Sequence, residues 1–112
     1  MPHVSIEYSN DIDGKHDIHA LCAAIFDALV AHPTVTGPAS LKIRAFPCTY
    51  WRTGTDPQSF AHATLLALPG RTDEIKTSMT QTILDCMAAH LPDVGSLTAD
   101  YGDLSPFYIK RD

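Results

Sequence analysis

The second residue of this chain is a proline behind a methionine, and its possible chemistry comes from its position. Methionine is removed before small residues, and proline is small. Removal would leave Pro2 with a free secondary amine, which no other residue can supply. An α-amino group ionises at about 7.7–8.0, and nearby cations or apolar surroundings lower that value. Such a nitrogen is neutral near pH 7 and able to act as a general base. The same residue also fits an ordinary second position, so its partners elsewhere in the chain have to decide.

Cations are the partners an amine of this kind would need. Lys42 and Arg44 are two residues apart in an alternating run, which places both on one face of a strand. Arg71 precedes a helix start, beside free backbone N–H groups and the positive end of the helix dipole. Asp73 and Glu74 follow the usual charge preference there, and Arg71 goes against it. A carboxylate held by its planar fork is one explanation; a solvated loop arginine is the other.

Other chemistries find little support. Six histidines are present, but only His16 and His19 are close, and no His-Glu-x-x-His or Cys/His cluster appears, so no metal is expected. His62 falls in an apolar strand and reads as a hydrogen-bonded structural residue. Cys22 and Cys86 lie on helix faces and read as core residues rather than nucleophiles. Tyr50 and Trp51 fit a pocket wall, a core contact or a subunit contact equally. A phosphate loop, a serine elbow and a dinucleotide fingerprint are all missing, so no organic cofactor is expected either.

The chain has 112 residues, 45% hydrophobic and 19% charged, enough for one domain with a real core. A net charge of -5 disfavours nucleic acid and anionic membranes. It also means that an acidic ligand would need local cations. Three scattered cysteines, Cys22, Cys48 and Cys86, point to reduced thiols in a cytoplasmic protein. The first twenty residues have no signal-peptide pattern, and no run approaches a membrane span.

Stepping along the chain, Val4, Ile6 and Tyr8 alternate with Ser5 and Glu7 and predict a half-buried strand. Ile18, Leu21, Cys22, Ile25, Phe26, Leu29 and Val30 have helical spacing, with Asp17 as N-cap and His32-Pro33 as the stop. Leu41, Ile43 and Ala45 predict a second strand, followed by a loop from Pro47 to Ser59. Phe60 to Leu68 is apolar on both faces and predicts a central strand. After Pro69-Gly70, Thr72 caps a second helix carrying Ile75, Met79, Ile83, Met87 and Leu91. Leu97, Ala99 and Tyr101 predict a fourth strand.

The expected order is β-α-β followed by β-α-β, an α+β domain over 1–112 with a four-stranded sheet and both helices on one face. Ser5, Glu7, Lys42 and Arg44 then lie on the opposite face, too few and too mixed with apolar residues for a plain solvated surface. Self-association over that face is expected, with a Glu7–Arg44 ion pair between neighbouring strands.

The residues resemble those of the 5-carboxymethyl-2-hydroxymuconate isomerase family of the tautomerase superfamily. The likeness is carried by PHVSIEYS, SLKIR, the aromatic TYW, FAHATLLALPGRT and SLTADYGDLSP, in that order. GRTDEIK also resembles the helix entry of the shorter 4-oxalocrotonate tautomerases. The resemblance implies a homotrimer whose sheets form a central barrel with helices outside. It implies Pro2 as general base, and substrate-binding cations at Arg71 and at Lys42, with Arg44 on the same face. It further implies cofactor-free tautomerisation of an unsaturated 2-hydroxy or 2-oxo di- or tricarboxylic acid. Lys42 stands where the family has arginine, which keeps the charge and loses the fork. The loop between Trp51 and Phe60 also reads as shorter. Hydration or dehalogenation of an unsaturated acid by the same proline, or a non-catalytic trimeric binding domain, are the competing expectations.

Overall fold

The computed structural model describes residues 2–111. Four strands, β1 (His3–Ser9), β2 (Lys42–Cys48), β3 (Phe60–Ala67) and β4 (Ser96–Asp103), form one sheet in the order β2-β1-β3-β4. Helix α1 (Ile18–Val30) connects β1 to β2, and helix α2 (Asp73–His90) connects β3 to β4. Short 3₁₀ turns at Asn10–Gly14 and Pro38–Ser40 complete the connections. Within each β-α-β half the strands are parallel, and the halves meet along an antiparallel β1–β3 seam.

Periodicity explains the layers. Val4, Ile6 and Tyr8 from β1 and Ala61, Ala63 and Leu65 from β3 are buried on the helix side. Leu21, Ile25 and Leu29 of α1 and Met79, Ile83 and Met87 of α2 recur every fourth residue and are fully buried against them. Burying an aliphatic side chain of this size is worth about 1.5–3 kcal/mol, so these two stripes hold the helices to the sheet. The caps match the sequence: Asp17 Oδ1 accepts from the Ala20 N–H at 3.0 Å, and Thr72 Oγ1 accepts from the Ile75 N–H at 3.3 Å. Helix α1 ends at Val30 with Ala31 as its cap, directly before the expected His32-Pro33 stop, and His32 then bonds Thr34 and Ser78 of α2.

The two halves match in detail. The Lys42 N–H donates to the Pro2 carbonyl at 3.1 Å, and the Ser96 N–H donates to the Ser59 carbonyl at 3.1 Å. Each half therefore has one residue, Pro2 or Ser59, bonded to the start of the parallel strand beside it.

Glycine is favoured at two turns, for different reasons. Gly70 takes φ +117° at the exit from β3, where an L side chain is strained. At Gly95 a Cβ would lie 2.0 Å from the Pro57 carbonyl oxygen, so the 49–59 loop and the entry to β4 pack backbone to backbone. Gly95→Ala is expected to destabilise by roughly 1–3 kcal/mol, as overpacking does. Denaturant unfolding at fixed protein concentration checks this; an unchanged midpoint would show that the loop yields freely.

Candidate active site

The antiparallel seam pairs His3 with Leu66, and the parallel pairing sets His3 beside Lys42. The start of β1, the start of β2 and the end of β3 therefore share one end of the sheet. Pro2 sits at this end and is buried, with its carbonyl taking the Lys42 N–H. Met1, whose removal the amine chemistry requires, lies outside the described residues.

Arg71 follows the β3 exit. Its Nη1 donates to the Leu68 carbonyl at 3.3 Å and its Nη2 to the Thr34 carbonyl at 3.2 Å. It is half-buried and clasps the β3–α2 turn to the segment after α1, unlike a solvated loop residue. Its Nε is buried and has no partner among the described residues. An orphaned guanidinium N–H is costly, and an incoming acceptor would relieve it.

Lys42 and Arg44 are exposed on the helix-free face, as their alternation requires. The expected Glu7–Arg44 ion pair does not form in the protomer. The register sets Arg44 opposite Ser5, and Glu7 opposite Phe46 and His62. Arg44 turns instead to His3, its Nη1 lying 3.3 Å from His3 Nδ1. On the far side of the ring, His3 Nε2 lies 2.9 Å from the Tyr108 hydroxyl. Burial, then the Arg44 and Lys42 charges, hold His3 below its ordinary value of 6.5.

Sequence reasoning missed His3 and Tyr108. The signal for His3 was present, since alternation puts it on the Lys42 and Arg44 face. Tyr108 gave none, because it lies beyond the last strand and reaches His3 only through the path of the C-terminal segment.

The remaining polar groups are structural. His62 bonds Thr98 at 2.7 Å and Thr64 at 3.2 Å. The Tyr8 hydroxyl donates to Asp13 at 2.7 Å, and burial with this carboxylate pushes it up to about 12. Burial also raises the Cys22 and Cys86 thiols, which keeps them protonated and unreactive. Trp51 donates its indole N–H to the Gln58 carbonyl at 3.0 Å and packs on Phe60, so it braces the loop. Among the described residues no three His, Cys, Asp or Glu side chains gather as a metal site, and no helix is long and apolar enough to cross a membrane.

Two open grooves flank the sheet. One, of about 550 Å³, runs between α1 and β2 past Cys22, Phe26 and Lys42. The other, of about 340 Å³, runs between α2 and β4 past Thr80, Leu84 and Tyr101. Both follow the sheet's edge strands.

Comparison with known proteins agrees with this fold. The family described as 5-carboxymethyl-2-hydroxymuconate isomerase matches residues 2–99. No curated protein sequence matches the chain. The crystal structure of a 5-carboxymethyl-2-hydroxymuconate delta-isomerase is 21% identical and superposes with a TM-score of 0.85, covering 100% of this chain and 88% of that one. A 5-carboxymethyl-2-hydroxymuconate isomerase from Deinococcus radiodurans R1 is 22% identical, with a TM-score of 0.79 over 99% of this chain and 90% of its own. A fused 4-OT described as a symmetric trimer is 17% identical, with a TM-score of 0.71 over 96% of this chain and 89% of its own.

The charge arrangement predicts how His3 titrates. Its folded value lies below 6.5, so the unfolded chain takes up the proton first as pH falls. The stability it contributes is full above 6.5 and is lost as pH drops from there through the folded value. Arg44→Ala removes one of the depressing charges, and the His3 titration followed by NMR should move up while staying below 6.5, because burial is the larger cause. A titration that ignores Arg44→Ala would show that the contact is not formed in solution.

Proposed function

This chain belongs to the 5-carboxymethyl-2-hydroxymuconate isomerase family and is an isomerase, and on that premise we propose that it tautomerises an unsaturated 2-hydroxy or 2-oxo di- or tricarboxylic acid, such as 5-carboxymethyl-2-hydroxymuconate, with the Pro2 amine as base. The observation that carries this reading is the convergence of Pro2, Lys42 and the Arg71 clasp at one end of the sheet.

The neutral Pro2 nitrogen takes the proton of the 2-hydroxy group, or of a carbon beside the carbonyl. The electron pair moves through the conjugated system, and the ammonium returns the proton at the far carbon, so no atom is gained or lost. Lys42, Arg44 and the free Arg71 N–H supply fixed positive charge for the dienolate. The same charges lower the amine's own ionisation. Substrate carboxylates give these cations their partners in a protein whose net charge is -5.

In this reading the whole chain, 1–112, is one domain that assembles as a homotrimer. The sheet has two open edges, β2 and β4, and its helix-free face exposes Phe46 and Leu66 beside Arg44, Glu7 and Asp100. Neighbouring copies that extend these edges into a barrel would cover that face, as would suit the fold shared with a symmetric trimer. We place the enzyme in the cytoplasm, in breakdown of aromatic compounds. The unpaired state of Cys22, Cys48 and Cys86 fits a reducing compartment.

Two measurements test the base and the cations. Protein with a free Pro2 should turn over a 2-hydroxydienoate, followed by ultraviolet absorbance, with a rate that falls on acidification at an apparent pKa below the usual α-amino value of about 7.7–8.0. Retaining Met1 or adding a tag makes the nitrogen an amide and should abolish turnover, while Pro2→Ala should lower it roughly 10²–10⁴-fold. Equal rates for tagged and free protein would remove Pro2 from the mechanism. Arg71→Ala should cost about 1.5–3 kcal/mol in kcat/KM, mainly through KM. Kinetics unchanged by that substitution would leave Arg71 as a structural clasp alone.

A further inference from the structure

The C-terminal segment beyond β4 returns to the Pro2 end of the sheet by defined bonds. The Leu104 N–H donates to the Ala67 carbonyl at 2.7 Å, which carries the chain past the end of β3. The Phe107 N–H donates to Ser105 Oγ at 2.9 Å and the Tyr108 N–H to the Ser105 carbonyl at 3.0 Å, forming a turn. That turn sets the Tyr108 ring edge-on to His3, with centroids 5.6 Å apart and planes at 77°. Its neighbours Phe107 and Ile109 are 86% and 89% exposed. Hydrophobic burial alone would have turned those two inward in place of the ring with the hydroxyl. The match to the family model covers residues 2–99 and stops short of this segment.

The hydrogen bonds around His3 have only one consistent set of protons. An arginine side chain can donate but not accept. Arg44 Nη1 at 3.3 Å therefore requires a bare lone pair on His3 Nδ1. A neutral ring then carries its proton on Nε2, which donates to the Tyr108 oxygen at 2.9 Å. The tyrosine oxygen is thus an acceptor toward His3, and its own proton points elsewhere. Among the described residues no acceptor for that proton is found. Neutrality of the ring fits its surroundings, since burial first, then the Arg44 and Lys42 charges, oppose a charge on it.

We propose that Tyr108 is a substrate-orienting residue of the Pro2 site, its hydroxyl donating a hydrogen bond to a substrate carboxylate, with His3 as a positioning residue whose tautomer Arg44 imposes. This rests on the reading of the Pro2 end as the substrate site. His3 directly follows Pro2 and pairs with Lys42, so the Tyr108–His3 contact lies at the same end of the sheet as Pro2 and Lys42. Arg44 then acts on the substrate through a chain of two hydrogen bonds as well as through its charge. The directed O–H replaces part of the geometric selectivity that Lys42, a point charge, does not provide.

The test separates this role from that of Pro2 by measuring binding apart from turnover. Muconate, an unsaturated dicarboxylate, is titrated calorimetrically into protein with a free Pro2. Tyr108→Phe keeps the ring and removes only the O–H, and it should weaken muconate about 10-fold to 100-fold, the loss of one hydrogen bond to a charged group. His3→Gln, whose amide can accept from Arg44 and donate to Tyr108, should stay within about threefold of the wild type, whereas His3→Leu should match Tyr108→Phe and add little to it in the double variant. With a 2-hydroxydienoate the Tyr108→Phe loss should appear mainly in KM. Wild-type muconate affinity in Tyr108→Phe, fully additive losses in the double variant, or no muconate binding by the wild type at millimolar concentration would each overturn the proposal. If these binding differences hold but tagged and free protein turn over the dienoate equally, the Pro2 base fails and the Tyr108 assignment stands.

Discussion

The antiparallel seam between β1 and β3 is the constraint on which the site depends. Each β-α-β half alone would leave Pro2 at the start of one strand and Arg71 after the end of another, with nothing to bring them together. Antiparallel pairing of His3 with Leu66 sets the first residue of one central strand against the last residues of the other. Parallel pairing inside the first half then adds Lys42 to the same end. Alternating Val4, Ile6 and Tyr8 against Ala61, Ala63 and Leu65 holds the register, because a one-residue slip would turn the buried face of β1 toward the open side.

Charge follows from that geometry. In an acidic chain, cations that were to serve an anionic ligand would have to be concentrated, and three cations are placed at or near this end of the sheet by three different devices. Lys42 is placed by strand alternation and remains exposed. Arg71 is placed by a turn and is anchored through two carbonyls. Arg44 sits one pleat further along β2, in contact with His3. The arginine anchored through two backbone carbonyls has its fork held by the main chain, which suits it to impose direction as well as charge.

Much of this was legible because local physics decides it. Period-two runs at 4–8 and 41–45, four-residue spacing in both helices and the caps Asp17 and Thr72 depend on neighbours in sequence, and the structure follows them closely. The family was legible through short ordered motifs. What escaped were side-chain choices set by register. Arg44 had two candidate partners within reach, and only the pairing of Glu7 with Phe46 and of His3 with Lys42 shows why it turns to the histidine. Tyr108 was the least legible, since its partner is 105 residues distant and lies on no repeating pattern.

The matched halves carry one more consequence. Ser59 occupies in the second half the place Pro2 holds in the first, down to the same carbonyl bond to the neighbouring strand. Yet the Ser59 nitrogen is locked in a peptide link to Gln58, and such a nitrogen has no basicity whatever side chain it bears. Joining two β-α-β units in a single polypeptide therefore leaves a molecule with two equivalent strand entries and only one chain terminus to serve them. The second entry is built for stability: Ser59 is buried there and ties down the Gly95 N–H.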